Sequence, residues 1–128
     1  MSSTTTNAFT VDLFEAFWAN PDPNLIGPEL FTDDVTGYWP GDDEPVRGFE
    51  QYRQRIADVL ATVPGLHLDV AESATDGDVI FIRWVARGLG TSETNELSGV
   101  DRILLRDGKV CENRIYFDPA RFERLLTQ

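Results

Sequence analysis

The apolar period of this chain changes once, at Pro64-Gly65, and that change limits the folds open to it. Before it, apolar residues recur at helical spacing: Phe9, Val11, Leu13, Phe14, Phe17 and Trp18 in one stretch, Tyr52, Ile56, Val59, Leu60 and Val63 in another. After it, Leu66, Leu68 and Val70 alternate with His67 and Asp69, the pattern of a half-buried strand. Helices first and a strand meander later define an α+β domain: a cone-shaped, curved antiparallel sheet wrapped around the N-terminal helices, with an apolar pocket at the open end.

Local signals set the boundaries. Thr10 is the N-cap of a helix over residues 9–20, which Pro21-Asp22-Pro23 must end because proline cannot donate a helical hydrogen bond. A short helix over 24–30 and a strand over 35–39, closed by Pro40-Gly41, follow. A third helix runs over 49–62 and stops at Pro64-Gly65. The turns Thr75-Asp76-Gly77-Asp78 and Arg106-Asp107-Gly108-Lys109 join two hairpins, with strands over 66–70, 79–88, 91–106 and 110–117. Pro119 opens a closing helix over 119–126.

With 128 residues there is room for one domain, expected over 9–128 behind a disordered Ser/Thr-rich leader at 1–8. Against 22 acidic residues stand 11 basic ones, and the net charge of −11 argues against a nucleic-acid partner. The longest strongly apolar stretch is 79–82, and no signal-peptide pattern opens the chain, so the expectation is a cytoplasmic protein with no membrane partner. One cysteine, Cys111, and one histidine, His67, supply neither a disulfide nor a structural zinc site.

Three runs carry a family resemblance: Leu30-Phe31-Thr32-Asp33-Asp34-Val35-Thr36 followed by Trp39-Pro40 and Glu44-Pro45-Val46-Arg47-Gly48; Gly99-Val100-Asp101-Arg102-Ile103; and Arg114-Ile115-Tyr116-Phe117-Asp118 after Asp107-Gly108-Lys109-Val110. In order and spacing they resemble the nuclear transport factor 2-like superfamily, and the last hairpin resembles that of SnoaL-like polyketide cyclases and limonene-type epoxide hydrolases. The resemblance implies a cone-shaped fold that hosts isomerases, cyclases, hydrolases, dehydratases and non-enzymes.

Carried over by position, it implies that Asp101 matches the hydrogen-bonding Asp of ketosteroid isomerases, while the isomerase base falls on Trp39 and its tyrosine near Phe14; neither residue can do that work, so steroid-type isomerisation is disfavoured. The acid of the cyclases falls on Ile115, and the Arg and Asp of the epoxide hydrolases on Trp84 and Ala86. A register slip by one residue instead offers Arg83 and Arg114.

Strand parity then sorts the rest. If Ile115 faces the cone, so do Cys111, Asn113 and Phe117, and Asp101 shares a face with Leu97, Gly99, Ile103 and Leu105. An Asp among apolar neighbours is suited to acid or base work, or else it pairs with Arg102, Arg83 or Arg87. Of Tyr38 and Trp39 one should point inward, and Trp18 and Trp84 add ring surface for a flat ligand. His67 is expected on the outer face beside Asp69. The loop Asp42-Asp43-Glu44 reads as a solvated turn, or a weak cation site.

The row Val79, Phe81, Arg83, Val85 and Arg87 mixes apolar and arginine groups on the outer sheet face, and in this family such a face implies a homodimer. The expected activity is cofactor-independent isomerase, cyclase or lyase chemistry on an apolar, ring-containing small molecule. Asp101 carries it; Trp18, Tyr38, Trp39, Trp84, Asn113, Ile115 and Phe117 bind substrate, and no metal takes part. The alternative is a non-catalytic ligand-binding or dimerisation module of the same fold.

Overall fold

The structure is a computed structural model that describes residues 8–128; apart from Ala8, the expected leader lies outside the described residues. Thr10 caps α1 (Val11–Ala19), its Oγ1 accepting from the Leu13 amide at 3.2 Å. In place of a helix over 24–30 there are two single 3₁₀ turns, Pro23–Leu25 and Pro28–Leu30. Each proline fits the start of a turn, and Pro28 has no amide with which to extend the first one.

Strand β1 (Phe31–Tyr38) starts earlier than its alternation shows, and a two-residue strand, β2 (Val46–Arg47), pairs with it where the sequence reads as loop. Helix α2 (Phe49–Thr62) has the expected bounds. The hairpins are β3 (His67–Asp76) with β4 (Val79–Arg87), and β5 (Leu97–Arg106) with β6 (Lys109–Tyr116). Asp107 and Gly108 both take positive φ, 55° and 81°, which a tight hairpin turn of matching twist requires. The closing helix α3 (Pro119–Leu126) is capped by Asp118, whose Oδ1 accepts from the amides of Ala120 and Arg121.

The strand expected over 91–106 begins only at Leu97. Residues 88–96 form a connection held from within: the buried Asn95 points its Nδ2 at the carbonyls of Leu89 at 2.8 Å, and of Leu125 and Gln128 at 3.3 Å. With the amide and hydroxyl of Thr91, which also donate to the Gln128 carbonyl, this side chain ties the loop to the end of the chain beyond α3.

The six strands lie in the order β2-β1-β6-β5-β4-β3. The sheet is mixed rather than purely antiparallel, because β1 runs parallel to β6. No hairpin fixes the direction of β1 against β6; α2 and four strands intervene, and so long a connection permits parallel pairing.

Two extra residues bend the sheet. Val70 pairs with Trp84 and Glu72 with Arg83, leaving Ala71 over on β3; Leu104 pairs with Glu112 and Leu105 with Val110, leaving Cys111 over on β6. Such bulges add local twist and curvature. The bulge also corrects the parity of β6: Val110 is 1% exposed and takes the inward place expected of Cys111, whose thiol points toward the Leu104 carbonyl at 3.5 Å.

On β4 the alternation is clean. Ile80, Ile82, Trp84 and Ala86 are buried, whereas Phe81 is 42% exposed on the outer face. There Arg83 pairs with Glu72, Arg87 with Asp69 and Glu96, and Arg102 with Glu112. Helix α1 packs on β3 and α2 on β1, so the helices and the inner face enclose the core.

Candidate functional site

Between the helices and the inner sheet face lies a cavity of about 640 Å³, within the usual range for small-molecule sites. Its wall is aromatic on every side: Phe14 and Trp18 from α1, Trp39 after β1, Trp84 from β4, Phe117 after β6 and Phe122 from α3. The rings pack against one another, Trp39 on Tyr52 with centroids 5.4 Å apart and Trp84 on Phe117 at 6.2 Å.

Polar chemistry is concentrated at one place. Asp101 on β5 is 6% exposed, yet its carboxyl group lines the cavity. Trp84 Nε1 donates to Asp101 Oδ1 at 2.8 Å, and Asn113 Nδ2 donates to Asp101 Oδ2 at 3.0 Å. The same Asn113 nitrogen donates to Tyr52 Oη at 2.9 Å, so three elements, β5, β6 and α2, meet through one amide. Asn113 Oδ1 is buried and has no hydrogen-bond partner among the described residues.

None of the arginines offered as partners reaches Asp101; all three are engaged by acids on the outer face. With no cation to offset it, burial pushes the Asp101 carboxyl up to about 6, against the smaller opposing effect of the Asn113 and Trp84 hydrogen bonds. Burial likewise raises the Tyr52 phenol far above its ordinary value, and Asp101 adds to the rise, so its hydroxyl stays protonated.

Two glycines make the cluster possible. A Cβ at Gly99 would collide with the Trp84 indole, and one at Gly37 would press into the rings of Trp39 and Tyr52. The small residue in each case lets a large ring lie flat against the strand.

At the rim, Asp42 is held by Arg55 through Nε at 3.0 Å and Nη2 at 3.3 Å, and the guanidinium lies 5.1 Å from the Trp39 ring centre. The loop expected to be a solvated turn or a weak cation site thus contributes, through Asp42, to the mouth of the cavity. Among the described residues no group of three or more His, Cys, Asp or Glu side chains is placed to hold a metal ion, and no helix is long and apolar enough to cross a membrane.

Of the residues expected to bind substrate, Trp18, Trp39, Trp84, Asn113, Ile115 and Phe117 line the cavity with Asp101. Tyr38 does not. It pairs in register with Arg114, whose guanidinium lies 4.1 Å from its ring centre, on the side of β1 opposite to the buried Gly37. His67 stands apart, half-buried, with Nδ1 3.2 Å from the Gly65 carbonyl oxygen. The residue missing from the sequence reading is Tyr52, whose helical position marks it as core; only the contact of its hydroxyl with Asn113 reveals the polar role.

Compared with known proteins, residues 11–113 match the model of the SnoaL-like domain, and the chain belongs to that family. No curated protein matches it. Among solved structures it is similar to a protein with a ketosteroid isomerase-like fold from Catenulispora acidiphila in complex with trimethylamine, at 20% identity and a TM-score of 0.76, with 90% of this chain and 89% of that one covered. TerC co-crystallised with polyporic acid is similar at 21% identity and a TM-score of 0.76, covering 91% and 94%. A SnoaL-like polyketide cyclase assigned from Jannaschia is similar at 18% identity and a TM-score of 0.74, covering 91% and 90%. These likenesses establish the fold: a ketosteroid isomerase-like, nuclear transport factor 2-like curved sheet over helices.

Proposed function

We propose that the protein is an enzyme that moves a proton at carbon beside a carbonyl group in an apolar, ring-containing small molecule, without metal or organic cofactor. One observation carries this reading: a buried carboxyl group, without a cationic partner among the described residues, faces a cavity walled by aromatic rings. A carboxyl group raised to about 6 is a stronger base than an ordinary Asp and remains substantially ionised at neutral pH.

In the forward direction Asp101 takes the proton from carbon, and the electrons of the broken C–H bond move onto the carbonyl oxygen as an enolate. The Tyr52 hydroxyl already accepts from Asn113, so its own proton is available to the developing oxyanion. Returning the proton to a second carbon gives isomerisation; attack of the enolate carbon on an electrophile gives ring closure. The aromatic walls exclude water and hold a flat substrate. That SnoaL-like and ketosteroid isomerase-like proteins share this scaffold supports the assignment of class.

A panel of enolisable bicyclic ketones, β-tetralone first, incubated in D₂O and followed by proton NMR tests this. Deuterium should enter the α position faster than in buffer, and Asp101→Asn should slow it by at least about 100-fold. Absence of catalysed exchange across the panel, or an undiminished Asp101→Asn variant, overturns the reading. A second reading, ligand binding without turnover, is favoured by the apolar Ile115 at the position of the cyclase acid. Saturable binding of the same ketones with no exchange supports it.

A further inference from the structure

Both oxygens of Asp101 face donors, and the two donors differ in kind. The Trp84 indole N–H can only donate. The Asn113 amide presents nitrogen on one side and oxygen on the other, and turning it over exchanges them with little change of shape. While Asp101 is ionised, the nitrogen must face it, because two oxygens in contact would repel. That is the arrangement observed, with Nδ2 serving Asp101 and Tyr52 together while Oδ1 is buried without a partner.

A protonated Asp101 reverses this demand. Its new O–H needs an acceptor, Trp84 cannot supply one, and the carboxamide oxygen of Asn113 can. We propose that Asn113 determines the ligand preference of the cavity: its amide turns over when Asp101 takes up a proton, and the turn converts Tyr52 from hydrogen-bond donor to hydrogen-bond acceptor toward the bound molecule. This deepens the functional reading above and rests on the cavity being the ligand site.

The conversion follows from counting donors. With Asn113 Nδ2 donating to Tyr52 Oη, the phenol proton is left for the ligand. With Oδ1 in that place, the phenol proton is drawn to Asn113, and a lone pair of Tyr52 faces the cavity. Carbonyl-bearing ligands are preferred in the first state and N–H or O–H ligands in the second. The proton that drives this turn comes from solvent while no enolate is bound; an enolate oxygen in the cavity would hold the Tyr52 proton and keep the Asn113 nitrogen on Tyr52, as the reaction above requires.

Few other charges act on the switch. The inward side chains flanking Trp84 on β4 are Ile82 and Ala86, those flanking Asn113 on β6 are Val110 and Ile115, and those flanking Asp101 on β5 are Gly99 and Ile103. From α2 the titratable groups are Tyr52 itself and, at the rim, Arg55 with its partner Asp42; α3 brings Glu123 to the rim, and the cavity face of α1 bears no ionisable group. Burial places the Asp101 transition near pH 6, so both states are accessible to experiment.

Fluorenone and carbazole test the proposal, because they share a tricyclic outline while one only accepts and the other only donates a hydrogen bond. Titrated calorimetrically at pH 7.5 and pH 5, the ratio of fluorenone to carbazole affinity should fall roughly tenfold on acidification. Tyr52→Phe, which keeps the ring, and Asn113→Leu should each flatten that pH dependence.

A ratio that stays constant or rises on acidification overturns the proposal, since a rise means that Asp101 addresses the ligand directly. A pH dependence that survives in Tyr52→Phe overturns it too. The side-chain NH₂ resonances of Asn113, followed by NMR in the free protein, provide a readout independent of any ligand. They should shift with the Asp101 midpoint, and if they do not move through that titration the relay is wrong. If neither tricycle binds while the Asn113 signals do move, the cavity reading fails and the relay stands.

Discussion

Asp101 and Ile115 are direct cross-strand partners on β5 and β6, and both side chains project into the same cavity. The position to which the resemblance assigns the cyclase acid is therefore opposite an acid that this chain already has. Two carboxyl groups on facing positions of neighbouring strands cannot both ionise in a buried site.

Restoring an acid at that place should consequently be costly. Ile115→Asp is expected to lose about 3 kcal/mol or more at pH 8, from lost apolar packing plus the confined second charge, and to regain part of it as pH falls and the pair shares a proton. Urea unfolding at pH 5 and pH 8 measures this. Equal destabilisation at both pH values would mean that the two carboxyl groups do not meet.

Asp101 itself makes stability depend on pH. Its carboxyl is raised from 3.8 to about 6 on folding, so the native state holds the proton more tightly than the unfolded chain. The associated stability is complete below about pH 4 and is lost as pH rises through about 6. Compared with Asp101→Asn, which cannot titrate, the wild-type protein should forfeit up to about 3 kcal/mol between pH 4 and pH 8. Referring each measurement to the variant cancels the self-repulsion of a chain with charge −11. A difference that grows with pH has the wrong sign for a burial-raised acid.

Asn95 joins the end of the closing helix to the connection over 88–96, beside the bonds that Thr91 gives the Gln128 carbonyl. Asn95→Ala removes the donor that the carbonyls of Leu89, Leu125 and Gln128 share, at an expected cost of about 1–3 kcal/mol. Because Phe122 on α3 forms part of the cavity wall, the loss should be local as well as global. Hydrogen exchange should quicken in the amides of Pro119–Leu126 more than in α2. Uniform acceleration over the whole chain would show that Asn95 does no more than support the fold.

The rim pair predicts a smaller effect. Arg55 and Asp42 are each partly exposed, with side-chain accessibilities of 26% and 32%, and a pair so placed contributes under about 1 kcal/mol. Arg55→Met keeps the apolar stem over Trp39 and should leave thermal stability nearly unchanged while increasing the solvent quenching of Trp39 fluorescence. A large stability loss would mean that the pair is a structural anchor and not a mouth.

Which features were legible in the sequence depended on whether neighbours in the chain decide them. The bounds of α2 and α3 follow from Pro64-Gly65 and from Asp118-Pro119, and the hairpin turns follow from their glycines. The burial of Asp101 followed from simple alternation on β5. Long-range pairing was not legible: nothing local directs β1 to lie parallel to β6, and nothing local places Ala71 and Cys111 as bulges. The bulge at Cys111 moved Val110 inward and left Asn113 in place, so the expectation for one succeeded and that for the other failed on the same strand. Tyr52 escaped because helical periodicity reports which side a ring faces and is silent about where its hydroxyl ends.

The space above Gly99 bears on Asp101. Residue 99 and residue 84 are registered partners, and the indole occupies the volume that any larger side chain at 99 would claim. A side chain gained at 99 would therefore displace the indole and press on the Tyr116 carbonyl, and the hydrogen bond that Trp84 gives Asp101 would go with the indole. Gly99 thus protects the buried carboxyl group at second hand: it holds open the volume from which the indole N–H reaches Asp101.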